Sequence, residues 1–552
     1  MAMAMTLPKV PPVTTVIESL FLALFLICVG TWIVTTIRFR IDVGKHQASR
    51  AEKSTLLIVP LKPYAIPILG STLNFLNTKI GRVWDCLIRD CQKWNLKAVS
   101  VLLAGVRTHI LFTPSSILSE LRAKHLTRHK HARLLAVNVL GTSQEEAAKA
   151  FPETPLPKAS VTLERVHSEF LLTAIPVTTL TNKFMECLYE GISEDNRLET
   201  SGEIELYAWV KEKVFNASVT ALFGSELLRM HPDLHKDFWI WEQNLLTLLF
   251  GTPRIFARQA YSARERLLTK LERWLEHGYN HTATIDDSVG WEPYFGAKVI
   301  RKRHEYYNQQ QLSLRSQAGK EMIFLAGILS NAIPTIGWLL AHILSPTSGP
   351  DLLPRIMDEL KKCVRSDGSI DFPTLLHVPV LNSVLNEVLR LYIDLMIIRQ
   401  VDADSTLDMI RVRQGDQVIA SSWMTHRHPH NFDLPNDFDP KRFVRHDPGT
   451  GDLLCSISGL GGKYFPFGGG HHMCPGRNFA KQEILGTVAV ILLNFDVSFM
   501  SFVERQGDLV KQKGLDINGF PKMVRALPGN QVMGLKGDMA VRIKRKGNTS
   551  TF

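Results

Sequence analysis

A glycine-rich segment that leads into a cysteine and then into a helical pattern limits the possible folds of this chain most. It spans residues 464–485 and reads YFPFGGGHHMCPGRNFAKQEIL. Cys474 comes just before the helical pattern, and Pro475 suits the first turn of a helix. Backbone N–H groups and the dipole at a helix N-terminus favour the thiolate form of a cysteine there. We therefore expect Cys474 to be a nucleophile or a metal ligand, beside glycines that let a flat group approach the backbone.

The residues alone leave both roles of this cysteine open. A nucleophilic cysteine needs a general base, for which His471 and His472 are the nearest candidates. A zinc site needs further Cys or His residues at ligand spacing, which the chain does not supply. The seven cysteines are scattered and form no CxxC pair, so the pattern favours neither a disulfide framework nor a zinc ribbon and is typical of a reducing compartment.

The cysteine segment resembles the haem-binding signature of the cytochrome P450 monooxygenases, F-x-x-G-x-x-x-C-x-G. All of its fixed positions are present, as Phe467, Gly470, Cys474 and Gly476. The resemblance implies that Cys474 is the axial thiolate ligand of a haem iron. It also implies that Phe467 packs against the ligand loop and that Gly476 leaves room for the porphyrin.

Motifs upstream of the cysteine resemble the same family in the expected order. Glu387 and Arg390 match E-x-x-R, and Arg442 in FDPKRF matches the arginine that completes that triad. The resemblance implies a buried structural role for all three. A Glu and an Arg three residues apart are common on exposed helix faces, so only the order of the motifs gives the pair its meaning.

The resemblance also suggests which cations hold the haem propionates. Arg399 and His472 stand where the family carries such partners. The family's W-x-x-x-R is lacking near residues 150–175, where Arg165 and His167 are the nearby cations. Either of the two is a candidate for the remaining propionate contact.

The helix expected over the oxygen site departs from the family pattern. Members normally carry an acid–Thr pair there, but this chain has no acid between Met322 and His342. Ser330 and Asn331 stand at or beside the Thr position and are the candidate catalytic residues; a buried helix with a tolerated Ser-Asn pair is the structural alternative. Pro334 is expected to kink the helix. SNAIP resembles the branch that contains cholesterol 7α-hydroxylase and prostacyclin synthase, so both oxygen insertion and isomerisation stay open.

The N-terminus carries an uncharged apolar run at residues 19–37, long enough for a helix to cross a bilayer. Arg38, Arg40 and Lys45 follow it, which predicts an uncleaved anchor with the body on the cytosolic side of the endoplasmic reticulum membrane. The net charge of +11 is spread along the chain. That spread favours a membrane surface or an acidic protein partner and gives no indication of nucleic-acid binding.

The remaining sequence predicts a mainly α protein with small β-sheets, and the resemblance implies the cytochrome P450 fold. Helical periodicity dominates residues 80–130, 160–280 and 315–400, and LLTKLERWLEHG ends on Gly278 as a C-cap would. No linker divides residues 60–545. We expect an anchor and linker at 1–45, with the transmembrane helix at about 19–37, and one catalytic domain at 46–552.

The expected function is that of a membrane-anchored haem monooxygenase. The resemblance implies that electrons come from NADPH through cytochrome P450 reductase. The apolar residues at 324–340 and 392–398 predict a pocket for a bulky lipophilic substrate, and the haem loop resembles those of fungal enzymes of secondary metabolism. A terpenoid or steroid-like intermediate is our hypothesis. The alternatives are a haem-thiolate isomerase or dehydratase that needs no reductase, and a non-catalytic membrane protein in which Cys474 is merely buried.

Overall fold

Helices make up most of the computed structural model, which describes residues 13–51, 56–75, 81–151, 162–198, 202–282, 286–504, 514–524 and 530–546. The helices are α1 Val13–Ala51, α2 Thr72–Phe75, α3 Arg82–Trp94, α4 Pro114–Arg122, α5 His129–Asn138, α6 Gln144–Ala150, α7 Leu163–Leu171, α8 Ala174–Ser193, α9 Leu206–Phe223, α10 Ser225–Met230, α11 Leu234–Gln243, α12 Leu245–Leu249, α13 Arg258–Thr282, α14 Lys298–Gln309, α15 Leu314–Leu344, α16 Leu352–Lys361, α17 Phe372–Leu375, α18 Pro379–Tyr392, α19 Ser422–His426 and α20 Arg477–Asn494.

The strands are short and belong to small sheets. They are β1 Ala98–Leu103, β2 Val106–Leu111, β3 Leu126–Thr127, β4 Gly202–Glu205, β5 Trp291–Glu292, β6 Gly296–Ala297, β7 Ile393–Val401, β8 Ser405–Leu407, β9 Ile410–Val412, β10 Gln417–Ser421, β11 Val444–His446, β12 Leu453–Cys455, β13 Phe495–Glu504, β14 Met523–Val524, β15 Asn530–Val532, β16 Gly534–Leu535 and β17 Gly537–Arg545. This content confirms the prediction of a mainly α protein with small sheets.

The smaller of two compact units comprises residues 1–127 and 397–424. Its sheet is built on the antiparallel pair β1–β2, with Ala98 opposite Leu111, and β10 adds to β2 in parallel. Strand β3 pairs with the second half of β7, where Leu126 lies opposite Val401. Buried residues of these strands, among them Val99, Ile110 and Val418, contribute to the core of this unit.

The larger unit comprises residues 128–396 and 425–552 and contains the main hydrophobic core. Within it, α15 packs against α9, α13, α18 and α20, and α8 packs against both α9 and α20. An antiparallel sheet has the strand order β13–β17–β4, and β15 pairs with the first half of β7. Because α15 is apolar and 72% buried over its most hydrophobic window, it is a core helix here and not a second membrane span.

The N-terminal helix is apolar enough to cross a membrane, but it is longer than expected. Helix α1 continues to Ala51, well past residue 37, so the polar residues after Arg40 extend it instead of forming a linker. Its most apolar window has a mean hydropathy of 2.4 and is 0% buried. The division into an anchor at 1–45 and a catalytic domain at 46–552 stays a prediction.

The predicted C-cap at Gly278 is wrong. Helix α13 continues through Gly278 to Thr282. A Cβ atom at this position would lie 2.2 Å from the Phe295 ring, so the glycine permits close packing inside the helix. A glycine in a helical pattern marks either an end or a close approach, and the local sequence does not separate the two.

Candidate active site

The glycine-rich loop holds Cys474 immediately before helix α20. Gly468 and Gly470 have φ values of 72° and 61°, which favour glycine, and the Cys474 N–H donates to the carbonyl oxygen of Phe467 at 2.9 Å. Gly476 is the N-cap of α20, which begins at Arg477. The cysteine therefore lies at the N-terminus of a long helix, as the sequence predicts.

Two opposing influences act on the Cys474 thiol. Burial raises its pKa, because a desolvated thiolate is unfavourable. The backbone N–H groups of Gly476 and Arg477 and the Arg477 guanidinium act in the opposite direction. This set of N–H donors and one cation suits a sulfur that bears negative charge, which is the form that coordinates a metal. The surroundings of Cys474 therefore fit a thiolate-ligated haem iron.

The loop residues around Cys474 leave one side of it open. A Cβ atom on Gly476 would have only the Cys474 sulfur as a close neighbour, at 3.9 Å. Phe467 is half-buried against the main core, with the Lys481 ammonium 5.9 Å from its ring. The side chain of His472 lies outside the described residues.

The structure brings Glu387, Arg390 and Arg442 together in the larger unit. Arg390 donates to both carboxylate oxygens of Glu387, at 2.7 and 2.8 Å, and the Arg442 Nε lies 3.0 Å from each of them. Glu387 and Arg390 are fully buried. The Asp439 N–H donates to the same carboxylate at 3.0 Å. The two cations and the backbone N–H offset the desolvation cost of this buried carboxylate.

This triad fixes the backbone that leads towards the cysteine loop. Arg390 donates to the carbonyl oxygens of His426, Pro435 and Asp437. The imidazole Nε2 of His426 accepts the Phe465 N–H at 3.0 Å, and burial lowers the pKa of His426 to about 3, so the ring is neutral. A neutral ring can keep the acceptor nitrogen that this bond requires. The triad therefore connects α18 to the start of the loop through His426.

The candidate propionate partners have different surroundings. In the smaller unit, the Arg399 Nε donates to a carboxylate oxygen of Glu120 at 3.1 Å, and burial raises the pKa of Glu120 to about 7. In the larger unit, Arg165 is exposed on α7. The His167 Nε2 atom lies 2.5 Å from a guanidinium nitrogen of Arg303, and the His167 ring stacks on Phe324. Burial and the Arg303 charge lower the pKa of His167 to about 3. A neutral His167 is a weaker partner for a carboxylate than Arg165 is.

Ser330 and Asn331 lie on different faces of α15. Asn331 is half-buried, its amide donates to the Gly327 carbonyl at 3.1 Å, and its side-chain oxygen accepts the Val532 N–H at 3.1 Å. Ser330 is buried, and its hydroxyl has no hydrogen-bond partner among the residues that the structure describes. Pro334 lies inside the continuous helix, and Thr335 donates to the Asn331 carbonyl at 2.7 Å.

Sequence reasoning missed one polar pair next to this helix. Gln531 of β15 donates to the Glu242 carboxyl of α11 at 2.9 Å, and both side chains are buried. The available signal was a single acid within the aromatic and aliphatic run FWIWEQNLL. Its partner lies 289 residues away, so no local pattern joins the two.

Comparisons of the sequence with known proteins agree with this geometry. The family model described as Cytochrome P450 matches residues 63–515. Cytochrome P450 monooxygenase calL of Penicillium decumbens is 26% identical over 67% of this chain and 73% of its own length. For cytochrome P450 monooxygenase efuG of Hormonema carpetanum the identity is 28% over 54% of this chain and 59% of that protein. Mouse cytochrome P450 7B1 is 24% identical over 80% of this chain and 85% of its own length.

Solved structures share the fold. The haem domain of cytochrome P450DA superposes with a TM-score of 0.63 at 15% identity, over 90% of this chain and 99% of that one. Retinoic acid-bound cyanobacterial CYP120A1 gives a TM-score of 0.58 at 19% identity, over 89% of this chain and 100% of that one. At these identities the likeness concerns the fold alone.

Proposed function

The chain belongs to the cytochrome P450 family of haem-thiolate monooxygenases, and from that premise we propose that it inserts oxygen into a bulky lipophilic intermediate of fungal secondary metabolism. Its electrons come from NADPH through cytochrome P450 reductase. The observation that carries the proposal is the position of Cys474, which lies at the N-terminus of α20, where the backbone N–H groups of Gly476 and Arg477 and the positive charge of Arg477 favour a negatively charged sulfur.

In this proposal Cys474 holds the haem iron, and Phe467, Gly470 and Gly476 shape the loop that receives the macrocycle. The bound haem supplies the redox chemistry that activates dioxygen. Arg399 and His472 hold its propionates, and of the two cations near α7 we favour Arg165, because the His167 ring is neutral and engaged by Arg303. The triad of Glu387, Arg390 and Arg442 keeps the segment before the loop in place.

Ser330 and Asn331 take the place of the acid–Thr pair in this proposal. Its hydrogen bonds to Gly327 and Val532 fix the Asn331 amide against the backbone, and an amide nitrogen that donates one hydrogen bond still has a second N–H. That N–H can orient an ordered water or an oxygen at the open face of α15, which is formed by Phe324, Gly327, Ile328 and Asn331. Ser330 faces the buried side, so its influence on proton delivery is the smaller of the two.

Half-buried apolar side chains on α15 and β7 support the lipophilic substrate class. Phe324 and Ile328 of α15 and Leu395 and Met396 of β7 are half-buried hydrophobic side chains. Such positions contact a lipophilic ligand through burial of apolar surface. We propose a terpenoid or steroid-like intermediate as the substrate.

A single membrane span at α1 supports location in the endoplasmic reticulum membrane, with the catalytic part in the cytosol. The apolar window of α1 is uncovered, which suits a lipid environment. The segment before α13 adds a second apolar surface, since Phe250, Ile255 and Phe256 are 58%, 68% and 78% exposed. Arg254 and Arg258 lie beside them and suit anionic headgroups.

One observation favours an alternative function. Glu321 is the only acid of α15, it is fully buried with one oxygen bound by Arg303 at 3.1 Å, and the stretch from Met322 to His342 carries no carboxylate for a proton relay. A haem-thiolate isomerase or dehydratase needs no such relay and no external electrons.

Two spectroscopic and kinetic measurements test the proposal. The reduced protein with carbon monoxide should give the absorption band of a thiolate-ligated haem. Oxidation of a lipophilic substrate should then require both NADPH and the reductase. Conversion without NADPH would overturn the monooxygenase in favour of the isomerase, and a reduced protein without the thiolate band would overturn both.

A further inference from the structure

Glu242 is an acid in the interior of the larger unit that the haem chemistry above does not use. Its side chain is 6% exposed, and Gln531, also 6% exposed, donates to one of its carboxyl oxygens at 2.9 Å. Burial raises the pKa of Glu242, and the Gln531 amide is the largest opposing influence. A carboxyl that keeps its proton in the interior can both donate and accept a hydrogen bond.

Ser330 adds a second polar group to the same place. Its hydroxyl lies close enough to the Glu242 carboxyl to favour the ionised form of that acid. The residue is 2% exposed, yet no group in the described part of the chain forms a geometrically acceptable hydrogen bond with Ser330 Oγ. A buried hydroxyl that lacks a well-formed hydrogen bond is unfavourable, so an oxygen or N–H from a ligand has a reason to bind here.

The open face of α15 begins at Asn331, the residue that follows Ser330. Phe324, Gly327, Ile328 and Asn331 keep exposure at helical spacing, whereas the positions between them are buried. A Cβ atom on Gly327 would meet no atom within 4 Å. The Asn331 side-chain oxygen accepts the N–H of Val532, the residue that follows Gln531 on β15. This hydrogen bond connects the open face of α15 to the strand that carries Gln531.

We propose that Glu242 and Gln531 form a polar subsite for a hydroxyl or carbonyl oxygen that the lipophilic substrate already carries. The inference rests on the proposed function, since it concerns how that substrate is held. The Glu242 carboxyl and the Gln531 amide each offer a donor and an acceptor, and Ser330 completes the set. A site built to hydrogen-bond an oxygen function rejects the analogue that lacks it, because its own polar groups are then left unpaired. The substrate must therefore come from an earlier oxygenation, or from a cyclisation ended by water.

The test measures binding and needs no turnover. The full-length, haem-loaded protein is titrated with three alcohols and their parent hydrocarbons: menthol and menthane, cedrol and cedrane, cholestanol and cholestane. The haem absorption shift reports each dissociation constant. We expect the wild type to bind at least one alcohol about tenfold more tightly than its hydrocarbon, as one satisfied buried hydrogen bond allows. Glu242→Leu should reduce this ratio to about one without weakening the hydrocarbon, and Glu242→Gln should keep part of the preference.

A general loss of folding would weaken both members of a pair, so the ratio isolates the subsite. Gln531→Leu is a second variant that should lower the same ratio. Glu483→Gln is the matched control, because Glu483 is an equally buried acid that accepts from Ser218 elsewhere in the unit. This control should keep the wild-type ratio. The subsite would be overturned if the wild type bound each alcohol and its parent hydrocarbon equally tightly. It would also be overturned if Glu242→Leu kept the wild-type preference for the alcohol. A protein without the haem-thiolate band would instead overturn the proposed function.

Discussion

Burial raises the pKa of the Cys474 thiol, and the backbone N–H groups of Gly476 and Arg477 together with the Arg477 charge oppose this shift. Replacing Cys474 with alanine should abolish the haem-thiolate absorption band, since Cys474 is the only cysteine of the segment 464–485. The measurement is the reduced carbon monoxide spectrum of the purified variant. Cys455→Ala is the control, because that thiol accepts only from the Asn386 amide at 3.3 Å and should leave the band unchanged. A thiolate band that persisted in Cys474→Ala would reject the assignment.

Glu387 is the shared carboxylate partner of Arg390, which is fully buried, and of Arg442, which is partly buried. In Glu387→Ala, Arg390 and Arg442 lose their shared carboxylate while remaining in the interior, which should cost about 3–5 kcal/mol and leave little haem-containing protein. Thermal melting and the haem content per chain check this. Asp358→Ala removes the partner of an exposed pair with Lys361 and should change the melting temperature little. If both variants melted alike, the triad would have no structural role.

Glu483 makes stability depend on pH. Burial raises the pKa of Glu483 from its usual 4.5 to about 8, opposed only by the Ser218 hydroxyl. The native state then holds a proton that the unfolded chain releases above pH 4.5, so this stabilisation is complete at low pH and declines as pH rises to about 8. Glu483→Gln does not titrate and should flatten that decline. Melting temperatures of both proteins from pH 5 to 8.5 are compared, and parallel curves would contradict the assignment.

Helix α13 shows how packing can override helix propensity. Gly278→Ala should gain up to about 1 kcal/mol from helix propensity but lose about 1–3 kcal/mol, because the new methyl group would meet the Phe295 ring. We expect net destabilisation in thermal or urea unfolding. Gly191→Ala in α8 is the matched control, since a Cβ there meets nothing within 4 Å, and it should stabilise the protein. Stabilisation by both substitutions would show that Phe295 moves aside freely.

The helices and strands also show how far a sequence leads. The cysteine loop and its helix were predictable because glycine φ angles, capping and the helix N-terminus are local properties. The mainly α content was also predictable, because helical periodicity is a local property of the sequence. The Glu242–Gln531 pair was not predictable, because it depends on a tertiary contact between α11 and β15. The length of α1 was missed for a similar reason, since its polar end is stabilised by contacts with residues that follow it in the chain.

At the scale of the whole molecule, α1 passes from an uncovered apolar part to a buried end, and the position of this change determines which N-terminal truncations still fold. Val43 and His46 are buried at its C-terminal end, and Phe39 packs edge-on against Trp94 with the ring centres 6.3 Å apart. The His46 imidazole lies 2.7 Å from the Ile58 carbonyl oxygen. This end of the helix therefore belongs to the core of the smaller unit, whereas residues before about 35 are largely uncovered.

Two deletions separate these roles. Removal of residues 1–34 keeps Thr35, whose hydroxyl exchanges hydrogen bonds with the backbone of Tyr64, and should release most of the protein from membranes with normal haem content. Removal of residues 1–48 also takes away Phe39, Val43 and His46. Because burial of one large apolar side chain is worth about 1.5–3 kcal/mol, the longer deletion should lower the melting temperature by several degrees or prevent folding. Membrane fractionation and thermal melting distinguish the two, and residual salt-sensitive binding of the shorter deletion would be due to the apolar surface of Phe250, Ile255 and Phe256. Equal melting temperatures would show that α1 is an anchor along its whole length.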